Sequence, residues 1–327
     1  MKQKYFFLPV AILSLLFTPP HCQGQEIDNT SSYRNIPANE YIRLTVDNDY
    51  FTGTDMEYTE GVNFELCMKW VKDFPLSKAL VHPDFTITRY GIGLEQAGYT
   101  PNDLGKEGMQ TSDRPFAATL FLKTFVICTD PVHQQRFATT LSTGVIGPMA
   151  LGDKIQDVVH QMINNVVPPG WKYQIPNDVV LNYQVDYQKQ LFSAGNYLLM
   201  DAEGTARAGT LNDKAGVGLD LMAGYFESPF GDGRETKKDF HIYLYDNPEV
   251  DAVAYDATME GGIFNHTGTY LITPAEISRF VFMNKGGIMM QYKKASASFE
   301  VTTLTKQFST GPNHAWGSIT LALAMGK

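Results

Sequence analysis

The segment LNYQVDYQ, residues 181–188, alternates apolar and polar side chains without a break. Its apolar residues fall on odd numbers and its polar residues on even numbers, so an extended strand places the two sets on opposite faces. The same period of two recurs in residues 62–70, 137–145 and 318–325. The polar set includes Asn, Gln and Asp, which suits a wet or polar-packed interior. The segment therefore predicts a strand between an apolar environment and a polar one.

Extending this pattern along the chain predicts about twelve strands. They lie near residues 40–50, 58–70, 86–97, 115–128, 133–146, 178–191, 196–209, 215–227, 238–255, 277–293, 297–308 and 314–325. Strands of ten residues or more are long enough to cross a bilayer at a tilt. The fold class is therefore predicted as all-β, a transmembrane antiparallel up-and-down β-barrel. A soluble β-sandwich is the alternative, and the chain's last residues, Met325-Gly326-Lys327, lack the terminal aromatic common in such barrels.

The first residues predict export from the cytoplasm. Lys2 and Lys4 precede an apolar run over residues 5–17, and Pro19 and Pro20 then end it. Thirteen apolar residues are too few to cross a bilayer as a helix, so a cleaved signal peptide over residues 1–24 is the better interpretation. A lipoprotein processed at Cys22 is a weaker alternative. Residues 25–327 are predicted to form a single barrel domain.

Composition limits the classes of partner. The net charge of −9 argues against nucleic acid, because phosphate binding requires a basic surface. Aromatic residues reach 12%, which suits a strand-rich chain and interfacial aromatic girdles. Only Cys67 and Cys128 follow the signal segment, and a disulfide and two free thiols are both open interpretations.

Two connections between predicted strands carry side chains that could do chemistry. The first contains Asp47, Asn48, Asp49 and Asp55, which are hard oxygen donors suited to calcium, although Asn and Asp are also ordinary turn residues. The fifth contains apolar residues at helical spacing, which predict a short amphipathic helix over residues 151–165. His160 lies on this helix and is a candidate general base, or else a solvated surface histidine. Both connections leave the same rim of a meander, so they are expected to converge.

Taken together, the chain resembles the outer-membrane lipid A 3-O-deacylase family. The matching segments run in family order and are Asp47-Asn48-Asp49, Thr54-Asp55, Tyr58-Thr59-x-Gly61, Tyr99-Thr100-Pro101, Asp113-Arg114-Pro115-Phe116-Ala117, Gly144-Val145-Ile146-Gly147-Pro148, Gln156-x-x-x-His160 and Gly170-Trp171-x-x-Gln174. The resemblance covers residues 40–190, and beyond them the match is strand pattern alone.

The resemblance implies a twelve-stranded barrel whose active site lies between its outer wall and a helix of an extracellular loop. Members remove the 3-linked acyloxyacyl chain of lipid A in a calcium-dependent reaction. By position, His160 is expected to activate water, and Asn48, Asp49 and Thr59 to complete the site. Asn48 and Asp49 are the expected ligands of Ca²⁺. The implied setting is the outer membrane, with lipopolysaccharide as the substrate of a monomer.

One position departs from the family pattern. The acidic residue expected six positions after the histidine corresponds to Val166, and Asn164 or Asn165 could supply an oxygen instead. Two alternatives therefore stay open. One is a barrel without catalysis, serving as a structural element or pore. The other is a phospholipase acting on another lipid, which with a serine nucleophile would be sensitive to serine-directed reagents.

Overall fold

The computed structural model describes residues 38–54, 56–163, 168–231, 239–268 and 270–325, without the side chains of residues 159, 160, 162 and 163. Twelve antiparallel strands form a closed barrel in which each strand pairs with its neighbours in sequence and β1 pairs with β12. The strands are β1 Glu40–Asn48, β2 Glu57–Cys67, β3 Ile87–Thr100, β4 Ala117–Asp130, β5 Gln135–Ile146, β6 Asp178–Ala194, β7 Leu198–Gly209, β8 Asn212–Tyr225, β9 Phe240–Asp256, β10 Phe280–Tyr292, β11 Ala295–Leu304 and β12 His314–Met325. The predicted fold class is confirmed, whereas the predicted signal peptide, residues 1–24, lies outside the described residues.

In the described parts of the connections lie two α-helices and five short 3-10 helices. The α-helices are α1 Gly152–Ile163 and α2 Ala257–Glu260, and the 3-10 helices are Asp49–Thr52, Lys69–Asp73, Pro75–Ala79, Pro148–Ala150 and Pro169–Tyr173. Helix α1 confirms the helix predicted in the fifth connection, although residues 164 and 165 fall outside the described part. Within the described ranges, no helix has the length and apolar character needed to span a membrane.

The connections divide between two rims. The upper rim carries the connections after β1, β3, β5, β7, β9 and β11, and most of them are long. The lower rim carries the others, which include the short turns after β4, β6 and β10. Transmembrane barrels keep short turns on the periplasmic side and long loops outside the cell. The upper rim is therefore the extracellular one, and the first, third and fifth connections meet there as predicted.

Each strand separates a polar lumen from an apolar outer wall. On β1, Arg43, Thr45 and Asp47 are buried inside, and Leu44 between them is 38% exposed on the outside. Ion pairs join neighbouring strands on the lumen face at several levels. They are Arg43–Glu65 at 2.6 Å, Lys123–Glu95 at 2.5 Å, Lys214–Asp251 at 2.8 Å and Lys285–Glu249 at 3.4 Å. The polar half of each alternating segment thus fills the inside of the barrel.

Exposed aromatic side chains ring the lower rim from β6 to β10. They are Tyr197, Tyr225, Phe240 and Tyr292. Such girdles mark the level where lipid headgroups meet the hydrocarbon. Cys67 and Cys128 are free and buried, so the open question of a disulfide between them is answered in favour of two thiols. Cys67 packs with Tyr41, and Cys128 packs with Leu80 and Leu141, in a different cluster.

Candidate functional site

The first connection places two predicted site residues at the upper end of β1. Asn48 continues the outward-facing row of β1, and its side chain accepts a hydrogen bond from the backbone N–H of Tyr50 at 2.8 Å. It thereby caps the 3-10 helix Asp49–Thr52. Asp49 is 1% exposed, and its Oδ2 accepts the backbone N–H of Met56 at 2.6 Å. The two predicted calcium ligands are therefore held by the local fold of the loop.

The 3-10 helix that contains Asp49 is fixed against the outer wall of β12. Phe51 lies over Gly317, where a Cβ atom would stand only 2.6 Å from the Cβ of Phe51. The Thr52 hydroxyl lies 2.7 Å from the carbonyl oxygen of Ala315. These contacts turn the loop outward and away from the mouth of the lumen.

A β-bulge between Tyr58 and Glu60 shapes the facing part of β2. Tyr58 packs in the lumen against Trp316, with ring centroids 4.9 Å apart. Thr59, the third predicted site residue, is buried, and its hydroxyl lies 2.6 Å from that of Thr100. Bulges re-aim side chains next to functional sites. Here the bulge sets Thr59 beside Glu60, whose backbone pairs with Asn48 across the β1–β2 ladder.

The outer wall of β2 and β3 carries two polar residues that the sequence interpretation did not assign to the site. Glu60 is 6% exposed, and its side chain lies against Gly98, with Cγ 3.1 Å from the position of a Cβ there. Gln96 is 7% exposed, and neither polar atom of its side chain has a hydrogen-bond partner among the described residues. Both face outward, in rows that are otherwise apolar on these strands. These polar residues in otherwise apolar rows are the feature of the sequence from which this part of the site could have been predicted.

Helix α1 packs over β3 and β4 beside this polar patch, and its first turn sits directly on β4. A Cβ atom at Gly152 would stand 2.5 Å from the Cβ of Ala118 and 2.8 Å from Cη2 of Trp171. Trp171 packs against Phe116 at a ring distance of 5.1 Å. Its Nε1 donates to Oε1 of the buried Gln156 at 2.6 Å. The fifth connection is thereby docked on the barrel through the first turn of α1 and through Trp171.

The fourth predicted site residue, His160, follows Gln156 by four residues in α1. Residues four apart share one face of a helix, so the backbone position of His160 lies one turn along from the buried Gln156. The side chain of His160 and the whole of Val166 lie outside the described residues. The fold thus gathers Asn48, Asp49 and Thr59 on β1 and β2, and it places the helix that carries His160 over the adjoining strands.

Arg114, in one of the segments that carry the sequence resemblance, lies away from this outer-wall site. Arg114 is fully buried at the upper end of the lumen, where its guanidinium lies 4.5 Å from the Tyr99 ring centroid. It donates to Thr258 at 2.6 Å and also contacts Glu57 and Gln307. These contacts tie the third connection to α2 and the last connection. Arg114 therefore closes the upper lumen and is no part of the outer-wall site.

A closed barrel with a covered polar patch on its outer wall defines a class, the outer-membrane barrel proteins with a site at the lipid-facing surface. Comparison with known proteins gives the particular family. The profile of the outer membrane protein LpxR family matches residues 8–325, so the chain belongs to that family. It is an outer-membrane protein.

Among solved structures, LpxR from Salmonella typhimurium superposes with a TM-score of 0.70 at 20% identity, covering 87% of this chain and all of that one. The β domain of the Bordetella autotransporter BrkA gives a TM-score of 0.45 at 5% identity over 88% of this chain and 99% of that one. None of the curated proteins matches the sequence. The Salmonella structure supports the barrel fold over nearly the whole chain.

Proposed function

We propose that the protein is an outer-membrane lipid A 3-O-deacylase, which hydrolyses the ester of the 3-linked acyloxyacyl chain. The observation that carries the proposal is the polar patch on the outward face of the barrel beside α1, in which Asn48 is half-buried and Glu60 and Gln96 are buried. An outward polar group costs stability in a lipid-facing wall, so a covered patch of them suggests a site entered from the membrane. Its place at the upper rim is the level of the outer leaflet, where lipid A resides.

His160 is the proposed general base. It takes a proton from a water molecule as the oxygen of that water attacks the ester carbonyl, and the proton then passes to the departing 3-hydroxyl oxygen. The products are a free fatty acid and lipid A with a free 3-hydroxyl group, so no covalent intermediate on the enzyme is needed. Gln156 and Trp171 act as positioning residues, because their hydrogen bond fixes the face that α1 turns toward the barrel.

The donor set at the upper end of β1 and β2 fits a calcium ion. Asp49 and Glu60 are buried carboxylates, and Asn48 adds an amide oxygen one strand away from Glu60. Hard oxygen donors of this kind are those that calcium prefers. Within the described ranges no three His, Cys, Asp or Glu side chains form a ready-made cluster, so carbonyl and water oxygens would complete the shell. Bound calcium would supply positive charge to the oxygen of the ester carbonyl as it becomes negative.

Glu60 could supply the acidic side chain that the family pattern expects at the position occupied here by Val166. The family pattern expects an acidic residue on the helix side of the site, and this chain has a buried carboxylate on the barrel side instead. We assign that acidic role to Glu60, together with Asp49. Thr59 is assigned a positioning role, since its hydroxyl is engaged with Thr100 next to this carboxylate.

The test is mass spectrometry of lipid A from a host that expresses the protein, with membranes incubated in calcium or in chelator. Loss of one 3-linked acyloxyacyl unit is expected with the intact protein and calcium. His160→Ala should lower the rate by about 10²–10⁴-fold, the usual contribution of a general base. Gln161→Ala is the matched control, because Gln161 is the next residue of α1 and is exposed. Unchanged lipid A with a folded barrel would contradict the proposal, and release of fatty acid from phospholipids would favour the phospholipase alternative.

A further inference from the structure

One arginine of the lower lumen carries a buried charge that forms no ion pair with the described residues. Arg89 is the third residue of β3 and is 5% exposed. Thr88 and Tyr90 on either side of it face the outer wall, so strand alternation points Arg89 into the barrel. Its Nε lies at a long 3.5 Å from Oδ1 of Asn39, and its Nη1 has no hydrogen-bond partner among the described residues.

The acidic groups beside this guanidinium do not balance its charge. Those that act on Arg89 are the thiol of Cys67 and the phenol of Tyr41, and both residues are fully buried. Thiols and phenols keep their proton at neutral pH and are then uncharged, whereas a guanidinium stays charged. Because a buried charge without a counter-ion strongly destabilises a fold, we expect an anion beside Arg89.

A second arginine raises the positive charge in this part of the lumen. Arg136 on β5 is 1% exposed, and its charge and that of Arg89 repel each other. Its guanidinium donates to two neutral oxygens, one from a side-chain amide and one from the backbone, each at 2.8 Å. Asp201 on β7 and Asp220 on β8 attract Arg136 from the side of β5 that is away from β3. These carboxylates offset the charge of Arg136 and leave that of Arg89 unbalanced.

A threonine lies between the two arginines on the lumen face. Thr129 of β4 pairs directly with Arg136 of β5. The next residue of β4 on the same face, Ile127, pairs with Arg89 of β3. Direct partners have Cβ atoms about 4.5–5.5 Å apart and diagonal neighbours about 7–8 Å apart, so side chains as long as arginine can meet there. Thr129 is 1% exposed, and its hydroxyl has no hydrogen-bond partner among the described residues.

We propose that Arg89, Thr129 and Arg136 form an anion site that binds a phosphate group in the lower lumen. The planar fork of a guanidinium matches the oxygens of a tetrahedral oxyanion, and the threonine hydroxyl donates one more hydrogen bond. The bound anion balances the charge of Arg89, reduces its repulsion with Arg136 and links β3, β4 and β5 on the inside of the barrel. Because β3 begins at the lower rim, the anion enters from the periplasmic side.

This site is independent of the proposed lipid A chemistry. It faces the lumen near the lower rim, whereas the proposed active site lies on the outer wall near the upper rim. Two sources of a phosphate group reach the lower rim, which are free phosphate in the periplasm and the phospholipid headgroups of the periplasmic leaflet. Both present the same oxyanion to the arginines, and the experiment below separates them.

The test is titration of inorganic phosphate into the barrel folded in a maltoside detergent, which carries no phosphate. Isothermal titration calorimetry gives the dissociation constant, and heat-modifiable migration on gels shows that each variant is folded. Arg89→Met removes a charged donor and should weaken phosphate binding by about 10–100-fold. Thr129→Val removes a neutral donor and should weaken it by about 5-fold, which gives a second test if Arg89→Met does not fold.

The sign of the stability change separates a binding site from a purely structural arginine. Without phosphate, Arg89→Met removes an unbalanced charge and should leave the midpoint of thermal unfolding unchanged or higher. With phosphate well above its dissociation constant, the unmodified barrel should gain several degrees and the variant should gain nothing. Arg43→Met/Glu65→Leu is the matched control, because it removes a guanidinium of the same lumen together with its own carboxylate. Its affinity for phosphate should equal that of the unmodified protein.

The same thermal measurement in vesicles of phosphatidylethanolamine and phosphatidylglycerol identifies the source of the phosphate group. A gain on addition of phosphate shows that free phosphate fills the site. A stability advantage of the unmodified protein over Arg89→Met that is present before phosphate is added shows that a lipid headgroup fills it. Either result supports the site.

Three results would overturn the proposal. The first is a folded barrel with neither heat of binding nor thermal gain in detergent or in vesicles. The second is an equal gain with chloride at the same ionic strength, which would indicate screening alone. The third is phosphate binding that appears only in Glu26→Gln/Asp28→Asn, because a carboxylate of the chain's own N-terminal segment would then be the partner of Arg89.

Discussion

The start of α1 packs closely on β4, and the substitution Gly152→Ala uses this contact as a quantitative test of the site geometry. The added Cβ would stand 2.5 Å from the Cβ of Ala118 and 2.8 Å from Cη2 of Trp171. Carbon atoms in ordinary contact are about 3.5–4.0 Å apart, so the start of α1 must move by about 1 Å. Neither neighbour can easily yield, since Ala118 lies in a paired strand and Trp171 is wedged between Phe116 and Gln156.

A displacement of about 1 Å in an active site can lower the rate about 10²-fold. We therefore expect Gly152→Ala to reduce lipid A deacylation by about that factor, with the barrel still folded and heat-modifiable. The assay is the time course of 3-deacylated lipid A by mass spectrometry, in detergent. Gly105→Ala is the control, because its Cβ would meet only Asp103 Oδ1 at an ordinary 3.7 Å.

The double variant Gly152→Ala/Ala118→Gly removes one of the two clashes and should recover part of the rate. A folded Gly152→Ala protein with an unchanged deacylation rate would show that the close packing of α1 on β4 does not set the geometry of the site, and would refute the prediction. A variant that fails to fold would show that the fifth connection supports the barrel itself, and the double variant would then be expected to restore folding.

Three further predictions concern the barrel. Glu65→Leu leaves the buried Arg43 without its ion pair, so it should lower the free energy of unfolding by about 3–5 kcal/mol. The double variant Arg43→Met/Glu65→Leu should recover most of that loss. Urea unfolding in vesicles measures both. Maleimide should label neither Cys67 nor Cys128 in the folded protein and both after unfolding; labelling of the folded barrel would contradict their burial. Because the charged side chains Arg43, Lys123 and Arg136 are almost completely buried in the lumen, planar bilayers should show no steady channel current, and stable conductance steps would support the pore alternative.

The sequence predicted the strand count and the helix because both depend on local periodicity. Residues 181–188 of β6 carry an unbroken alternation, and α1 carries apolar residues at helical spacing, so each pattern could be read from one segment. The resemblance to known deacylases supplied the predicted site residues. Asn48, Asp49 and Thr59 are brought together by the β1–β2 pairing and the bulge at Tyr58, whereas the role of His160 stays a prediction.

The features that sequence reasoning missed depend on contacts between distant residues. Glu60 and Gln96 each break an otherwise apolar row of a predicted strand, but only the register shows that they lie on the same outward face of neighbouring strands. The connection between β2 and β3, residues 68–86, shows no structural pattern in the sequence, and its position against the barrel depends on Tyr183, about a hundred residues away. Arg114 belongs to a motif of the resemblance, yet its partners Thr258 and Gln307 place it in the lumen. No local pattern contains such information.

The residues of the outer wall distinguish the part of the barrel that serves the site from the part that serves only stability. A charged side chain on a lipid-facing strand costs about 2–4 kcal/mol near the bilayer midplane and less toward the interface. On β12, the outward residues Ile319 and Leu321 are apolar and exposed, as a wall selected only for stability would be. On β2 and β3, Glu60 and Gln96 replace such residues, and a whole connection with α1 is built over them. A protein that needed only a stable barrel would require neither the polar residues nor their cover. Their joint presence is therefore best explained by chemistry at the membrane face of the barrel, with the lumen serving as its support.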